Sequence, residues 1–414
     1  MYLGHIWRIL HWGPLTAIGE HFAVLVESTT EFLIKSIVLG IIKVVTAMTI
    51  HCSNMWWPKH TVGGKINFVV FVTFSGLTIY NFLSALCHGP GYLPLNWMPK
   101  KEEHCKFLQF CVECQGYKAP RSHHCRKCRR CVLKMDHHCP WINNCVGWGN
   151  HAHFIFFLTF ATLGCLQSSI ILGCSLYKSI HRVYYFHLGE PIINLGLYGM
   201  ITCVLALGLS IGVVIAVGML LYFQATAVIR NRTGIEDWIM EKAVVRRQGV
   251  DKTFLFPYDL GVKNNVRQVM NLTCQPIGDG IMSWPVIEGC DEFSLTIEQI
   301  EQKAEKRMKS KMYRVVNPAS GYWFPLSYGI GVCLSYPFTD EPRIKLNIGD
   351  TVVVTRWRKH WLFGERVKGD RDKPTGRIRG WFPRKCAVEI IENNQSPSAY
   401  SNYNKNRLLD RKIK

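Results

Sequence analysis

Three stretches of this 414-residue chain run for about twenty residues or more without one charged side chain, and they limit every architecture it can adopt. They are residues 67–87 ("NFVVFVTFSGLTIYNFLSALC"), 154–177 ("FIFFLTFATLGCLQSSIILGCSLY") and 196–223 ("GLYGMITCVLALGLSIGVVIAVGMLLYF"). Each is long enough for an α-helix to cross a hydrocarbon core of about 30 Å. In such a core only a helix or a closed barrel satisfies its own backbone. A fourth span is expected at 32–52, where Lys35 sits near the aqueous edge and Lys43 lies further inside. Trp56 and Trp57 follow, as in an interfacial belt.

Charge orients these four spans. The segment 88–153 holds ten Lys and Arg, whereas 51–66 and 178–195 hold two each. Excess positive charge stays on the cytosolic side. Residues 88–153 and both termini, 1–31 and everything after 223, are therefore expected in the cytosol. The sequons at Asn231 and Asn271 would then go unused. Residues 1–20 lack the apolar core and small-residue site of a cleavable leader.

After the fourth span the chain turns polar. Residues 224–316 read as a mixed region and linker. Within it, 296–313 is expected to be helical, with Thr296 and Gln299 resembling a capping box, acids early and bases late. Residues 317–392 contain short strand-like runs such as "DTVVVTRW" and "CAVEII" between turn residues, which predicts a small β-barrel. Residues 393–414 read as a polar, disordered tail. No internal repeat is evident.

The chemistry is concentrated in 111–145. Seventeen cysteines occur in all, many in Cys-x-x-Cys units, a spacing that suits metal or reactive thiols in a reducing compartment better than disulfides. Cys111, Cys114, His124, Cys125, Cys128, Cys131, His138 and Cys145 make eight ligands, enough for two four-coordinate zinc sites. Cys139 is left over. In an extended chain alternate side chains share a face, so His137 would accompany Cys139 while His138 faces the other way. A thiol paired with histidine becomes a thiolate nucleophile. Asp136 has two readings: a partner of the ligand His138, or, after a small turn, a group orienting His137. Arg126, Lys127, Arg129, Arg130 and Lys134 would offset the thiolate charge and attract phosphates. The net charge of +20 also allows a nucleic-acid zinc finger, but no recognition helix follows the ligands.

This constellation, "DHHCPWINNC" at 136–145 with Asn150 and Phe154 beyond it, resembles the DHHC family of protein S-acyltransferases. The resemblance implies a multi-pass α-helical membrane protein with the cysteine-rich domain between spans two and three. It implies one zinc on Cys111, Cys114, His124 and Cys131 and another on Cys125, Cys128, His138 and Cys145. Asp136 and His137 would polarise Cys139, and Trp141 would lie against the acyl chain. Cys139 would take a long-chain acyl group from palmitoyl-CoA and pass it to cysteines of membrane-proximal proteins. Three further motifs match in altered form: Gly89-Pro90-Gly91, Thr233-Gly234-Ile235-Glu236, and "YDLGVKNN" with Asn265, all expected to be structural. "NIGDTVVVTRWRKHWLFGE" and "GWFPRKCAVEI" resemble an SH3 domain, with Tyr336, Trp361 and Pro383 left to grip a peptide and Leu334 and Cys386 where tyrosines are usual. The ending "LLDRKIK" resembles a dilysine retrieval signal of the endoplasmic reticulum, carried by Arg411 and Lys412. The rival from another class is a catalytically silent zinc and SH3 adaptor at the membrane.

Overall fold

The computed structural model describes residues 16–57, 59–249, 253–271, 274–339, 341–367 and 378–390, with side chains from Leu33 onward. The retrieval-like tail with Arg411 and Lys412, and residues 1–15, lie outside the described residues. The chain divides after Glu301 into two compact units.

Four long helices dominate the first unit: α1 (Thr16–Trp56), α2 (Val62–Cys87), α3 (His151–Ile180) and, after the short α4 (Arg182–His187), α5 (Gly196–Ile229). Apolar spans Leu33–Trp56, Val62–Cys87, His151–Ile180 and Gly196–Ile229 are each long enough to cross a membrane. The helices outrun the apolar runs of the sequence. Helix α2 starts at Val62 because Thr61 caps it, its side chain accepting from Gly64 N at 3.0 Å. At 34 residues α5 is about 51 Å long, more than a ~30 Å core. Its last turns therefore emerge beyond the hydrocarbon. Helix α3 packs against α1, α2 and α5. Polar groups between the helices find one another: Thr49 and Ser168 (2.6 Å), Ser168 and Ser210 (3.1 Å), and Trp56 Nε1 donating to Ser175 (2.8 Å).

Three two-stranded hairpins sit at the end of the bundle where α2 finishes, α3 begins and α5 finishes. They are β1 (Gln109–Cys111) with β2 (Gly116–Lys118), β3 (His123–Cys125) with β4 (Arg130–Val132), and β5 (His137–Cys139) with β6 (Asn144–Val146). Helices α6 (Gly234–Arg246), α7 (Val262–Arg267) and α8 (Ser294–Met308) follow α5. Helix α8 begins earlier than the expected Thr296 and ends before 313. Asp291 and Ser294 form its start: Asp291 Oδ1 accepts from Phe293 N and Ser294 Oγ, so Thr296 lies inside the helix. Residues beyond Met308 leave the helix because Lys311–Val315 forms strand β7.

Unit two is built on a five-stranded antiparallel sheet in the order β12-β11-β10-β7-β13. Its members are β7, β10 (Thr351–Trp357), β11 (Trp361–Arg366), β12 (Arg379–Pro383) and β13 (Ala387–Glu389), with a side pair β8 (Ala319–Ser320) and β9 (Lys345–Leu346). The sheet thus begins ahead of the boundary expected at 317. Val352, Val354, Leu362, Phe382 and Tyr313 form its core. A second cluster joins Val332 of α9 (Ile330–Leu334) to Trp361, Phe363 and Trp381.

Candidate active site

Each hairpin turns on a left-handed residue: Gln115 (φ 52°), Arg129 (φ 53°) and Asn143 (φ 46°). Just before these lie Cys111-x-x-Cys114, Cys125-x-x-Cys128 and Cys139-x-x-Ile142. The three hairpins are one unit repeated at fourteen-residue spacing. This corrects the reading that the chain has no internal repeat. The signal is hidden because the third copy carries Ile142 where the others carry the second cysteine.

Strand geometry distributes the ligands. His124 pairs across from Cys131, and His138 across from Cys145. Neighbours on a strand face opposite ways, so His124 joins one group while Cys125 joins the next. Two four-residue groups result: Cys111, Cys114, His124 and Cys131, and Cys125, Cys128, His138 and Cys145, each with its ligand atoms within 4.8 Å of one another. In the first, Sγ to His124 Nδ1 distances are 3.4, 3.3 and 3.9 Å. In the second, the distances to His138 Nδ1 are 3.6, 3.4 and 3.7 Å. A tetrahedral zinc with Zn–S of ~2.3 Å and Zn–N of ~2.0 Å needs S to N edges of about 3.5 Å. Both groups fit that ion.

Cys139 belongs to neither group. It turns with His137 away from the ligands and is 2% exposed, packed among Phe82, Ile142, Phe154, Phe157 and Leu158. Burial alone would raise its pKa. The hydrogen bond with His137 and the backbone amides of Ile142 and Trp141 outweigh that and lower it. In the second hairpin the Cys128 amide donates to Cys125 Sγ at 3.4 Å. His137 Nδ1 meets Asp136 Oδ2 at 2.8 Å. Burial would lower the His137 pKa, but the bonds to Asp136 and Cys139 raise it to about 9. Of the two readings for Asp136, the geometry has the one that faces His137. Asp136 is 7% exposed; burial would raise its pKa, yet hydrogen bonds from His137 and Gln224 hold it well below the ordinary carboxylate range. Trp141 is 53% exposed beside this site.

The residues after α5 do more than brace the domain. The Gly234 amide donates to Asp136 Oδ1 at 2.8 Å. The Thr233-to-Glu236 motif, expected to be structural more than catalytic, thus touches the acid of the site through a backbone amide. Thr233 and Glu236 also form a complete capping box for α6. Glu236 pairs with Arg121 (2.6 and 2.7 Å) in a fully buried bidentate contact, with Tyr258 and Trp284 over the guanidinium. Asn231 accepts from Lys134 Nζ at 2.7 Å and donates to Tyr258 O. Asn265 is buried and donates to Ile229 O at 2.8 Å, holding α7 to the end of α5. Asn150 donates to Ala85 O and Cys145 O, tying the third hairpin to α2.

One expected role needs correction. Lys134 is buried, and burial followed by the charge of Arg121 lowers its pKa to about 7. It braces Asn231 and is not presented to a phosphate. Gln224 and His151, which complete the environment of Asp136, carried no motif signal.

A DHHC palmitoyltransferase family model matches residues 104–241. The palmitoyltransferase ZDHHC6 of Mus musculus is 41% identical, covering 97% of this chain and 96% of its own. ZDHHC6 of Danio rerio is 43% identical over 96% and 95%, respectively. The probable protein S-acyltransferase 16 of Arabidopsis thaliana is 31% identical over 56% of this chain and 79% of its own.

Proposed function

This chain belongs to the DHHC palmitoyltransferase family and is a multi-pass membrane protein S-acyltransferase, and we propose that Cys139 is the thiol that carries the acyl group. His137 takes the proton of the Cys139 thiol, the resulting thiolate attacks the thioester carbonyl of palmitoyl-CoA, and the protonated His137 gives that proton to the departing CoA sulfur. A substrate cysteine then gives its proton to His137 and attacks the Cys139 thioester, and Cys139 leaves as thiolate. Asp136 holds His137 and stabilises its charged form. The observation that carries this reading is Asp136 Oδ2 at 2.8 Å from His137 Nδ1, with His137 and Cys139 on one face of β5, next to eight ligands that do not use Cys139.

Zinc on the two groups of ligands would supply folding energy, replacing a hydrophobic core that these short hairpins lack. The acyl chain, about 20 Å for sixteen carbons, fits within the ~30 Å hydrocarbon depth of the bundle below Cys139. Trp141 lies two residues from the thiol and is open enough to meet the chain. Arg126 and Arg129, exposed on the second hairpin, suit the CoA phosphates. The positive-inside argument puts the hairpins and both termini in the cytosol. Retrieval through Arg411 and Lys412 would keep the enzyme in the endoplasmic reticulum.

The C-terminal sheet is read as an SH3-like module with a structural role. In support, Trp361 is 1% exposed and donates its Nε1 to Val332 O at 3.0 Å, so the chain's own α9 covers the aromatic a proline-rich peptide would need. Incubating the purified full-length protein with labelled palmitoyl-CoA tests the whole reading. Hydroxylamine-labile label on Cys139 is the expected result. A protein that binds zinc but takes no label would be the silent adaptor instead.

A further inference from the structure

The environment of Asp136 contains a side chain that no motif announces. Gln224, 6% exposed near the end of α5, donates from Nε2 to Asp136 Oδ2 at 2.9 Å. That is the oxygen facing His137 Nδ1. The other oxygen takes the Gly234 amide. Three donors from three elements therefore fix both the position and the rotation of one carboxylate. An amide side chain can flip, which would point its oxygen at the carboxylate and repel it. His151, 4% exposed on the first turn of α3, prevents this: its Nε2 meets Gln224 Oε1 at 2.9 Å. Gln224 must donate to Asp136, so its oxygen is left to accept, and Nε2 of His151 carries the hydrogen. The His151 ring makes no other hydrogen bond among the described residues. Its remaining nitrogen is buried, and the residue borders a cavity of about 10 Å³ lined also by Lys134, Gln268 and Cys274, with room for one water.

We propose that Gln224, oriented by His151, is a positioning residue for acyl transfer that holds the Asp136 carboxylate in the rotation His137 requires. The inference rests on Cys139 being the acyl carrier and His137 its base. It extends the chain of contacts to His151–Gln224–Asp136–His137–Cys139, across α3, α5 and the third hairpin. Loss of the Gln224 amide removes one of these three restraints and leaves only Gly234 and His137 to hold the Asp136 terminal torsion, which is broad and weakly restrained by itself.

The test uses the full-length protein in detergent, with single-turnover loading from palmitoyl-CoA and the metal content read in parallel. Gln224→Met keeps the volume and removes the donor. It should load at least about tenfold more slowly, with two metal ions retained and half-saturation by palmitoyl-CoA unchanged. Gln224→Glu supplies a conservative rescue. Its carboxyl faces Asp136 and His151, with His137 and Lys134 beyond. Beside a buried carboxylate it keeps its proton at about pH 6 and donates as the amide does, then ionises and repels Asp136 as pH rises towards about 8. This variant should load nearly as fast as the parent at the lower pH and lose rate at the higher, a limb the parent lacks. A Gln224→Met variant as fast as the parent, or a Gln224→Glu profile parallel to the parent's, overturns the proposal. Loss of metal in either variant does so too, because Gln224 would then be holding the fold. Loading of a Cys139→Ser control would overturn the underlying reading instead, and is scored separately.

Discussion

A thiol, an imidazole and a carboxylate are placed by three different residue-level devices. Cys139 takes the place that Cys111 and Cys125, both candidate metal ligands, take in the other two hairpins. His137 reaches it because the two lie on one face of β5. Asp136, just before the strand, is turned to His137 by Gln224 and Gly234. Replacing His137 by alanine should slow Cys139 acylation by about 10²–10⁴-fold, the usual worth of a positioned base, while leaving both metals bound. Rapid-quench loading with metal analysis checks this, and a variant that keeps parental speed would exclude His137 as the base. The ligands and the surplus cysteine were legible from spacing, since chelation fixes residue types at fixed intervals. Gln224 was not, because a lone amide closing an apolar run reveals nothing until the helix is folded against Asp136. Nor was the Gly234 contact, which uses a backbone N–H that every residue but proline possesses.

At the scale of elements, under the proposed reading, the hairpins depend on metal and on what is clamped behind them. Cys131→Ala removes one ligand of the first group. It should lower metal content towards one ion per chain and expose the cysteine-rich segment to protease, since zinc binding here is folding energy. Full activity with one ion missing would contradict a structural role for that site. The Arg121–Glu236 pair fastens the hairpins to α6 with both side chains out of water. Arg121→Ala leaves Glu236 charged and buried without its partner, and should cost about 3–5 kcal/mol. A thermal shift of the purified protein measures it; an unchanged midpoint would mean that the pair does not brace the fold. Helix ends were the least legible feature. Thr296 offered a plausible cap, but Asp291 and Ser294 won because Asp291 satisfies both the Phe293 amide and the Ser294 hydroxyl. β7 was missed because the basic run that reads as a helix C-terminus continues into Lys311.

For the whole molecule, four membrane-spanning helices bring the ends of α2, α3 and α5 to one side; the hairpins are pinned there through Asn150 and Asn231, and Asn265 ties α7 to the end of α5. The four spans were legible in outline, because uncharged runs of that length report on the bilayer directly. If the bundle bounds the acyl chain, donors that differ by two methylenes should be graded in rate, each methylene being worth roughly 1–3 kcal/mol. Equal loading from short and long donors would argue against a bounded pocket. Replacing Arg411 and Lys412 by serine should release the protein towards the Golgi without altering Cys139 acylation in detergent, and imaging that still finds it only in the reticulum would show another signal at work. The central claim is that eight cysteines and histidines hold two metals while Cys139 alone carries the acyl group. Intact-protein mass spectrometry after palmitoyl-CoA treatment, with metal counted on the same sample, tests it most directly. The parent should gain one hydroxylamine-labile acyl group and hold two zinc ions, and Cys139→Ser should hold two zinc ions and gain nothing. A Cys139→Ser protein that is still acylated, or that has lost a zinc, would contradict the account.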